Sequence, residues 1–334
     1  MEILDKIRER SRQKQRTIVL PETTDTRILK AAKIIIEERL ARLILIDSEG
    51  LKERAQAVGL DLTRTQVMSP RNDENMESFV QQFFEIRKHK GVTEEQAREQ
   101  MNSPINFSAM LVRSGIADGF VAGAITTTAD VAKAAIYCIG FGERIKTISS
   151  CFLVSVPDCE YGSRGTFVFA DCGIIPDPSP LQLANIAAAA AELFELLVQE
   201  EPRVALLSFS TKGSAEHEMV DKIVKAREMA EKKYPELSID GELQLDAAIV
   251  PEVAKIKAPE SKIAGAANVL ILPDLNAGNI SYKMVQRLAK AEVVGPLMVG
   301  LNKPCSDLSR GCTIDEVVNA VCTTSIRVTD KVGA

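Results

Sequence analysis

Thr17-Ile18-Val19-Leu20, a helical pattern through Ile28–Arg39 and then Leu43-Ile44-Leu45-Ile46 form the stretch on which the fold turns. Two short apolar runs flank one amphipathic segment, and the second run stops at Asp47-Ser48-Glu49-Gly50. A run that is apolar on both faces belongs inside a sheet covered on both sides, and the intervening helix supplies the crossover that parallel pairing requires. The pattern repeats further along. Gly119-Phe120-Val121-Ala122-Gly123 is another short buried strand running into a threonine-rich helix entrance. Leu206-Leu207-Ser208-Phe209, Ala247-Ala248-Ile249-Val250 and Val269-Leu270-Ile271-Leu272 read as further strands. The expected fold class is α/β with a largely parallel sheet.

The middle of the chain has a different texture. Ser149–Val156 and Gly165–Ala170 look like paired strands around Tyr161-Gly162-Ser163-Arg164-Gly165, a hairpin signal. Pro176-Asp177-Pro178-Ser179-Pro180 then breaks the chain before a long helix, with Ser179 as N-cap, Pro180 at the first helical position and Gln182 completing a capping box. A length of 334 residues suggests about two domains. Their boundary is expected in the region of Arg144–Ser149.

Composition narrows the classes of function. With 41 basic and 46 acidic residues the net charge is −5, so the surface as a whole does not advertise nucleic-acid binding. An anionic substrate must be held by local positive groups. Seven scattered cysteines form no CxxC pair, which reads as a reducing compartment. Met1-Glu2-Ile3-Leu4-Asp5 lacks an apolar signal core and no run reaches the length of a membrane span, so a cytoplasmic protein without membrane association is expected. His89 and His217 are the only histidines, which leaves little for histidine-based metal or triad chemistry.

Candidate chemistry sits at strand ends. Gly123–Thr128, Ser208–Ser214 and Pro273–Asn279 are small polar clusters, each placed where an open parallel sheet binds ligands. Each also has the composition of ordinary strand-to-helix turns. The richest segment is Gly300–Glu316, which brings Ser309, Arg310 and Glu316 to the entrance of the last helix. Arg310 suits a bidentate phosphate or carboxylate contact, or an ion pair with Asp307 or Asp315. Ser309 suits either a donor to a developing oxyanion or an ST-turn. Thr313-Ile314-Asp315-Glu316 matches a capping box, yet Glu316 also stands where a proton acceptor would be useful. Arg87-Lys88-His89-Lys90-Gly91 reads as a basic helix end, and Lys133 has a similar reading. Cys159 and Cys312 have no histidine near them in sequence, so buried, inert thiols are the simpler reading.

Taken in order, these segments resemble the phosphate acetyltransferase family over nearly the whole chain. The resemblance is carried by Pro21-Glu22 with Asp25 and Arg27, Arg87–Gly91, Gly123-Ala124 with Thr128-Ala129-Asp130, and Phe169-Ala170-Asp171-Cys172-Gly173. It continues through Phe209–Ala215, Gly241–Ala248, Pro273–Ile280 and Asp307-Leu308-Ser309-Arg310-Gly311. It implies reversible acetyl transfer between coenzyme A and phosphate, by direct attack of CoA thiolate on the acyl phosphate. It implies a homodimer of two α/β domains in an isocitrate-dehydrogenase-like fold with an interdomain cleft, the first domain being 1–146 plus 301–334 and the second 147–300. Carried over by position, Arg310 holds phosphate, Ser309 donates to the carbonyl oxygen and Glu316 deprotonates the CoA thiol. Arg87, Thr128, Lys133, Asn276 and Asn279 bind substrate, and Cys159 and Cys312 lie near the site without being essential. Neither metal nor cofactor is implied, since coenzyme A is itself a substrate, and no nucleic acid or membrane partner.

Three positions depart from the family pattern. Glu316 stands where Asp is usual, with Asp315 beside it as a competitor for the role; Lys133 replaces a common Arg; Thr126 replaces a frequent His. Acyl-chain preference, including a butyryl specificity, therefore stays open. So does a catalytically silent CoA-binding protein. A metal-dependent NAD(P) hydroxyacid dehydrogenase on a related fold is disfavoured, because no GxGxxG follows a strand.

Overall fold

The computed structural model describes residues Glu2–Val328. The chain divides into two compact units, one made of Glu2–Gly142 together with the chain from Leu301, the other of Glu143–Gly300. The first begins α1 (Glu2–Lys14), β1 (Thr17–Leu20), α2 (Thr26–Glu37), β2 (Arg42–Ile46), α3 (Leu51–Val58) and β3 (Gln66–Met68). It continues with α4 (Met76–Arg87), α5 (Glu94–Met101), α6 (Pro104–Ser114), β4 (Gly119–Ala122) and α7 (Thr128–Ala134). Strands β3, β2, β1 and β4 lie side by side, all parallel, with Ile18 opposite Leu43 and Gly119. Helix α2 forms because Asp25 caps it, accepting the Arg27 N–H at 2.7 Å, and because Ile28, Leu29, Ala32, Ile35 and Ile36 recur on one face that the sheet buries.

The second unit holds β5 (Ser149–Ser155), the single turn α8 (Tyr161–Arg164), β6 (Thr166–Ala170), α9 (Pro180–Val198), β7 (Arg203–Leu207) and α10 (Glu218–Lys233). After these come β8 (Ser238–Leu243), α11 (Leu245–Ile249), α12 (Pro251–Lys257), β9 (Val269–Ile271), α13 (Leu275–Leu288) and β10 (Glu292–Val299). The strands run in the order β10-β5-β6-β9-β7-β8. The pairs of β10 with β5 and β5 with β6 are antiparallel and the rest parallel. The expected capping box of α9 is formed, with Ser179 and Gln182 satisfying each other's backbone N–H. Among the described residues α9 alone is long and apolar enough to cross a membrane; 67% of its apolar window is buried inside the protein, as in a core helix.

The chain then completes the first unit with β11 (Cys305–Asp307) and α14 (Ile314–Ile326). Strand β11 pairs parallel with β4, placing Asp307 opposite Ala122. Helix α14 is buried from Val317 through Ile326 and packs against α1 and α2.

Two local expectations give way. Ala247–Val250 is not a strand: residues 245–249 form α11, and the strand is the preceding Ser238–Leu243. Four apolar residues suit a buried helix turn as well as a strand, while β8 hides behind Asp240 and Glu242, polar residues with structural partners. The Tyr161–Gly165 hairpin signal marks the connection between two truly antiparallel strands, but as a ten-residue excursion between Ser155 and Thr166 rather than a tight turn.

Candidate active site

The three small polar clusters at strand ends spend their donors internally. Glu22, at the end of β1 and almost fully buried, accepts four consecutive backbone N–H groups: Gly123 and Ala124 on Oε2 at 2.9 and 2.8 Å, Ile125 and Thr126 on Oε1 at 3.0 and 2.7 Å. Glu242 satisfies the cluster after β7, accepting one backbone N–H from Gly213 at 2.7 Å and the Ser210 hydroxyl at 3.0 Å. In Pro273–Asn279, Asp274 caps α13 by accepting the Ala277 N–H at 2.9 Å. Asp171 adds a fourth case, gathering the N–H groups of Gly173, Ile174 and Ile175. The rows of N–H groups around Glu22 and Asp171 are anion sites whose anion is a carboxylate of the protein.

The turn after β11 is different. Ser309 Oγ accepts the Gly311 N–H at 3.2 Å and the Ser309 carbonyl accepts the Cys312 N–H at 2.8 Å, so the ST-turn is present. Accepting there leaves the hydroxyl proton of the exposed Ser309 available to a further acceptor. Arg310 is exposed, and among the described residues its guanidinium makes no ion pair or hydrogen bond. Its two candidate partners are engaged elsewhere: Asp307 with Thr128 at 2.5 Å and Asp315 with Arg8 at 3.5 Å. The turn is held by Arg27. Its Nη1 donates to the carbonyls of Arg310 and Cys312 at 2.9 and 2.8 Å, its Nη2 donates to the Ala124 carbonyl at 3.0 Å, and Asp25 pairs with it at 2.6 Å.

Glu316 forms the capping box with Thr313, Oε2 accepting the Thr313 N–H at 2.8 Å while its own N–H reaches Thr313 Oγ1 at 3.2 Å. Cys312 is buried, and burial pushes its thiol up to about 11 despite the nearby Arg27 guanidinium. A thiol held that high is not a nucleophile at neutral pH. Asp307, wholly buried, is raised to about 7 by burial, with Thr128 and the Leu308 backbone offsetting part of the effect.

Arg87 ends α4 and lies over the Tyr137 ring at 3.8 Å, a cation–π contact that fixes a half-buried guanidinium. Tyr137 and Lys133 line one cavity of about 610 Å³, together with Pro21, Thr24, Ser48, Asn106, Ile125, Thr126 and Asp130. Lys133 pairs loosely with Asp130 at 3.4 Å, both exposed. Arg87, Lys133, Thr128, Ser309, Arg310, Cys312 and Glu316 thus all belong to the first unit. Asn276, Asn279 and Cys159 belong to the second. There Asn279 donates to the Cys172 carbonyl at 3.3 Å, Asn276 is exposed, and Gly278 approaches the Asp171 carbonyl so closely that a Cβ would lie 2.1 Å away. Among the described residues no group of three or more His, Cys, Asp or Glu is arranged to hold a metal.

Sequence reasoning gave no separate role to Glu22 or Arg27, to Asp307 only that of an ion-pair partner for Arg310, and none to Tyr137. The first three sit inside the segments that carried the family resemblance, and their signal was a charged residue in an otherwise small or apolar strand-end segment.

Comparison with known proteins gives the chain's family. A family model described as "Phosphate acetyl/butaryl transferase" matches residues 2–325. A phosphate acetyltransferase of Acetivibrio thermocellus is 47% identical over 328 residues, covering 98% of each chain. The crystal structure of a phosphotransacetylase from Streptococcus pyogenes superposes with a TM-score of 0.92 at 38% identity, covering 98% of both chains. A 4-hydroxythreonine-4-phosphate dehydrogenase from Klebsiella pneumoniae, at 8% identity and a TM-score of 0.52 over 92% of this chain and 97% of that one, shares the fold alone.

Proposed function

The chain belongs to the phosphate acetyl/butaryl transferase family, and from that premise we propose that Ser309 and Arg310 carry the reaction. The activity is reversible transfer of an acetyl group between coenzyme A and phosphate. In the direction of thioester synthesis, the CoA sulfur bonds to the carbonyl carbon, the bond from that carbon to the phosphate oxygen breaks, and inorganic phosphate leaves with the electron pair. Arg310 holds the phosphoryl oxygens in its planar fork and offsets the charge gathering there. The Ser309 hydroxyl donates to the carbonyl oxygen as it becomes an oxyanion. Glu316 receives the thiol proton. An ordinary carboxylate is about 4 units too acidic to take a proton from an ordinary thiol, so the attacking sulfur needs the positive field of Arg310 to favour its thiolate.

The observation that carries this reading is the Arg310 guanidinium, unpaired among the described residues, next in the chain to a serine hydroxyl whose proton is free to donate, in a turn clamped by Arg27. Arg87 and Lys133 are the groups for the anionic parts of CoA, with Thr128 at the phosphoryl group and Asn276 and Asn279 on the second unit, which we take with the first as the two domains. A homodimer in the cytoplasm completes the proposal. Its support is α13, where Ile280, Met284 and Leu288 recur every fourth residue at 58, 53 and 78% exposure, an apolar stripe that a second copy would cover.

The test is CoA-dependent thioester formation from acetyl, propionyl and butyryl phosphate without added metal. We expect kcat/KM to be highest for acetyl phosphate. Higher kcat/KM for butyryl phosphate would overturn the acetyl assignment, and no thioester from any of the three would overturn the transferase itself.

A further inference from the structure

Asp307 has no part in the chemistry above, although it lies two residues before Ser309. Its carboxyl is fully buried at the end of β11. Gly123 is pressed against it: a Cβ at position 123 would stand 2.1 Å from Oδ1, and the glycine has φ of +110°, so a larger residue meets both a collision and backbone strain. Among the described residues Oδ1 has no hydrogen-bond partner of good geometry, the Leu308 backbone N–H lying beside the carboxyl, whereas Oδ2 is 2.5 Å from Thr128 Oγ1. The charged and titratable groups around it are few. Glu22 faces it from the segment after β1 and adds negative charge, and the Cys305 thiol on its own strand is raised well above its ordinary value by burial. Arg327, at the end of α14, donates to the Cys305 carbonyl and the Ser306 hydroxyl. On α7, Lys133 is paired with Asp130.

A hydroxyl has one proton to give. When Asp307 is ionised, Thr128 donates that proton inward to Oδ2 and offers only lone pairs outward. When Asp307 is protonated, its own O–H donates to Thr128 Oγ1, and the Thr128 proton turns outward. An ionised phosphoryl oxygen accepts hydrogen bonds and cannot donate, so it pairs with the second arrangement and is repelled by the first.

Resting on the reading of Thr128 as a substrate-binding group, we propose that Asp307 is a positioning residue whose protonation decides whether Thr128 donates to the phosphoryl group of the acyl phosphate. Burial, with Glu22 adding to it, brings Asp307 to about 7, so both arrangements are populated near neutrality. The sign follows: acyl phosphate is held more tightly below that pH and less tightly above it.

The experiment measures KM for acetyl phosphate, separately from kcat, between about pH 6 and about pH 8.5. In the parent protein KM rises about tenfold across this range, the worth of one charge-assisted hydrogen bond. In Asp307→Asn the amide N–H donates permanently to Thr128, so KM stays low and changes by less than about twofold. In Thr128→Val, KM is high and flat. Asp307→Asn keeping the parent's pH dependence of KM overturns the proposal. A parent KM that does not move with pH overturns it as well, and this measurement still decides the matter if Asp307→Asn does not fold. If Thr128→Val leaves KM unchanged while turnover persists, Thr128 is not at the phosphoryl group. That result removes the proposal and the Thr128 assignment but leaves the acetyltransferase reading standing, since only loss of thioester formation in the parent would remove that.

Discussion

Gly123–Thr128 and Leu308–Cys312 are both short segments that lead from a parallel strand towards a helix, and their strands, β4 and β11, are neighbours. They differ in what satisfies them. The first gives four successive N–H groups to the buried carboxylate of Glu22. Among the described residues the second leaves the Arg310 guanidinium unpaired and the Ser309 hydroxyl accepting only one backbone N–H. Arg27 touches both, donating to the Ala124 carbonyl on one side and to the Arg310 and Cys312 carbonyls on the other. A filled anion site thus serves as the frame against which the turn proposed to bind the phosphoryl group is held. A row of N–H groups at a strand end is not by itself a binding site; the question is which anion it was built for.

The largest effect that would sharpen this contrast is at the open segment. Arg310→Ala should lower kcat/KM for acetyl phosphate by about 10³-fold, the upper end of what losing one charge-stabilising donor costs. The thermal midpoint should stay within a degree or two of the parent's, because the exposed side chain has no structural partner among the described residues. A large fall in the midpoint would show that Arg310 is part of the frame instead, and the contrast between the two segments would collapse.

The filled segment should respond the other way. Glu22→Ala leaves four N–H groups, two of them buried, facing an empty, carboxylate-sized space, and donors left without acceptors should lower the unfolding free energy from urea titration by about 3 kcal/mol. Inorganic sulfate should restore part of that loss in the variant and do little for the parent, because in the parent the site already holds its anion. An unchanged midpoint in Glu22→Ala would mean that the carboxylate is incidental to the loop.

How much of this was legible beforehand follows the same division. The parallel α/β plan was readable from Thr17–Leu20 and Leu43–Ile46, because strands buried on both faces advertise themselves as unbroken apolar runs. The capping box at Ser179 and the one at Thr313 were readable because all their parts lie within four residues. What stayed hidden was non-local. Glu22 finds its N–H groups about a hundred residues away, Arg27 two of its carbonyls more than 280 away, and Asp307 its hydroxyl 179 away. No local pattern encodes such partners, so Gly123–Thr128 looked as open as the segment that is. Strand β8 was missed for a related reason: Glu242, polar in sequence, is buried because it has partners after β7.

Glu316 stands between the two kinds of residue, and its substitution is the finest test of the comparison. The capping box makes it part of the frame, while the family resemblance makes it part of the chemistry. Glu316→Gln separates the roles, since glutamine presents an acceptor oxygen to the Thr313 N–H just as glutamate does. The urea midpoint should therefore hardly change. If the carboxylate takes the thiol proton, kcat should fall by about 10²-fold, the lower end for a general base, because the amide cannot be protonated in this range. The loss should shrink as the pH approaches about 8.5, where the CoA thiol ionises without help. A variant with undiminished kcat would place Glu316 wholly on the side of Glu22, a carboxylate whose work is to satisfy backbone N–H groups, and would leave the thiolate to the positive field around Arg310.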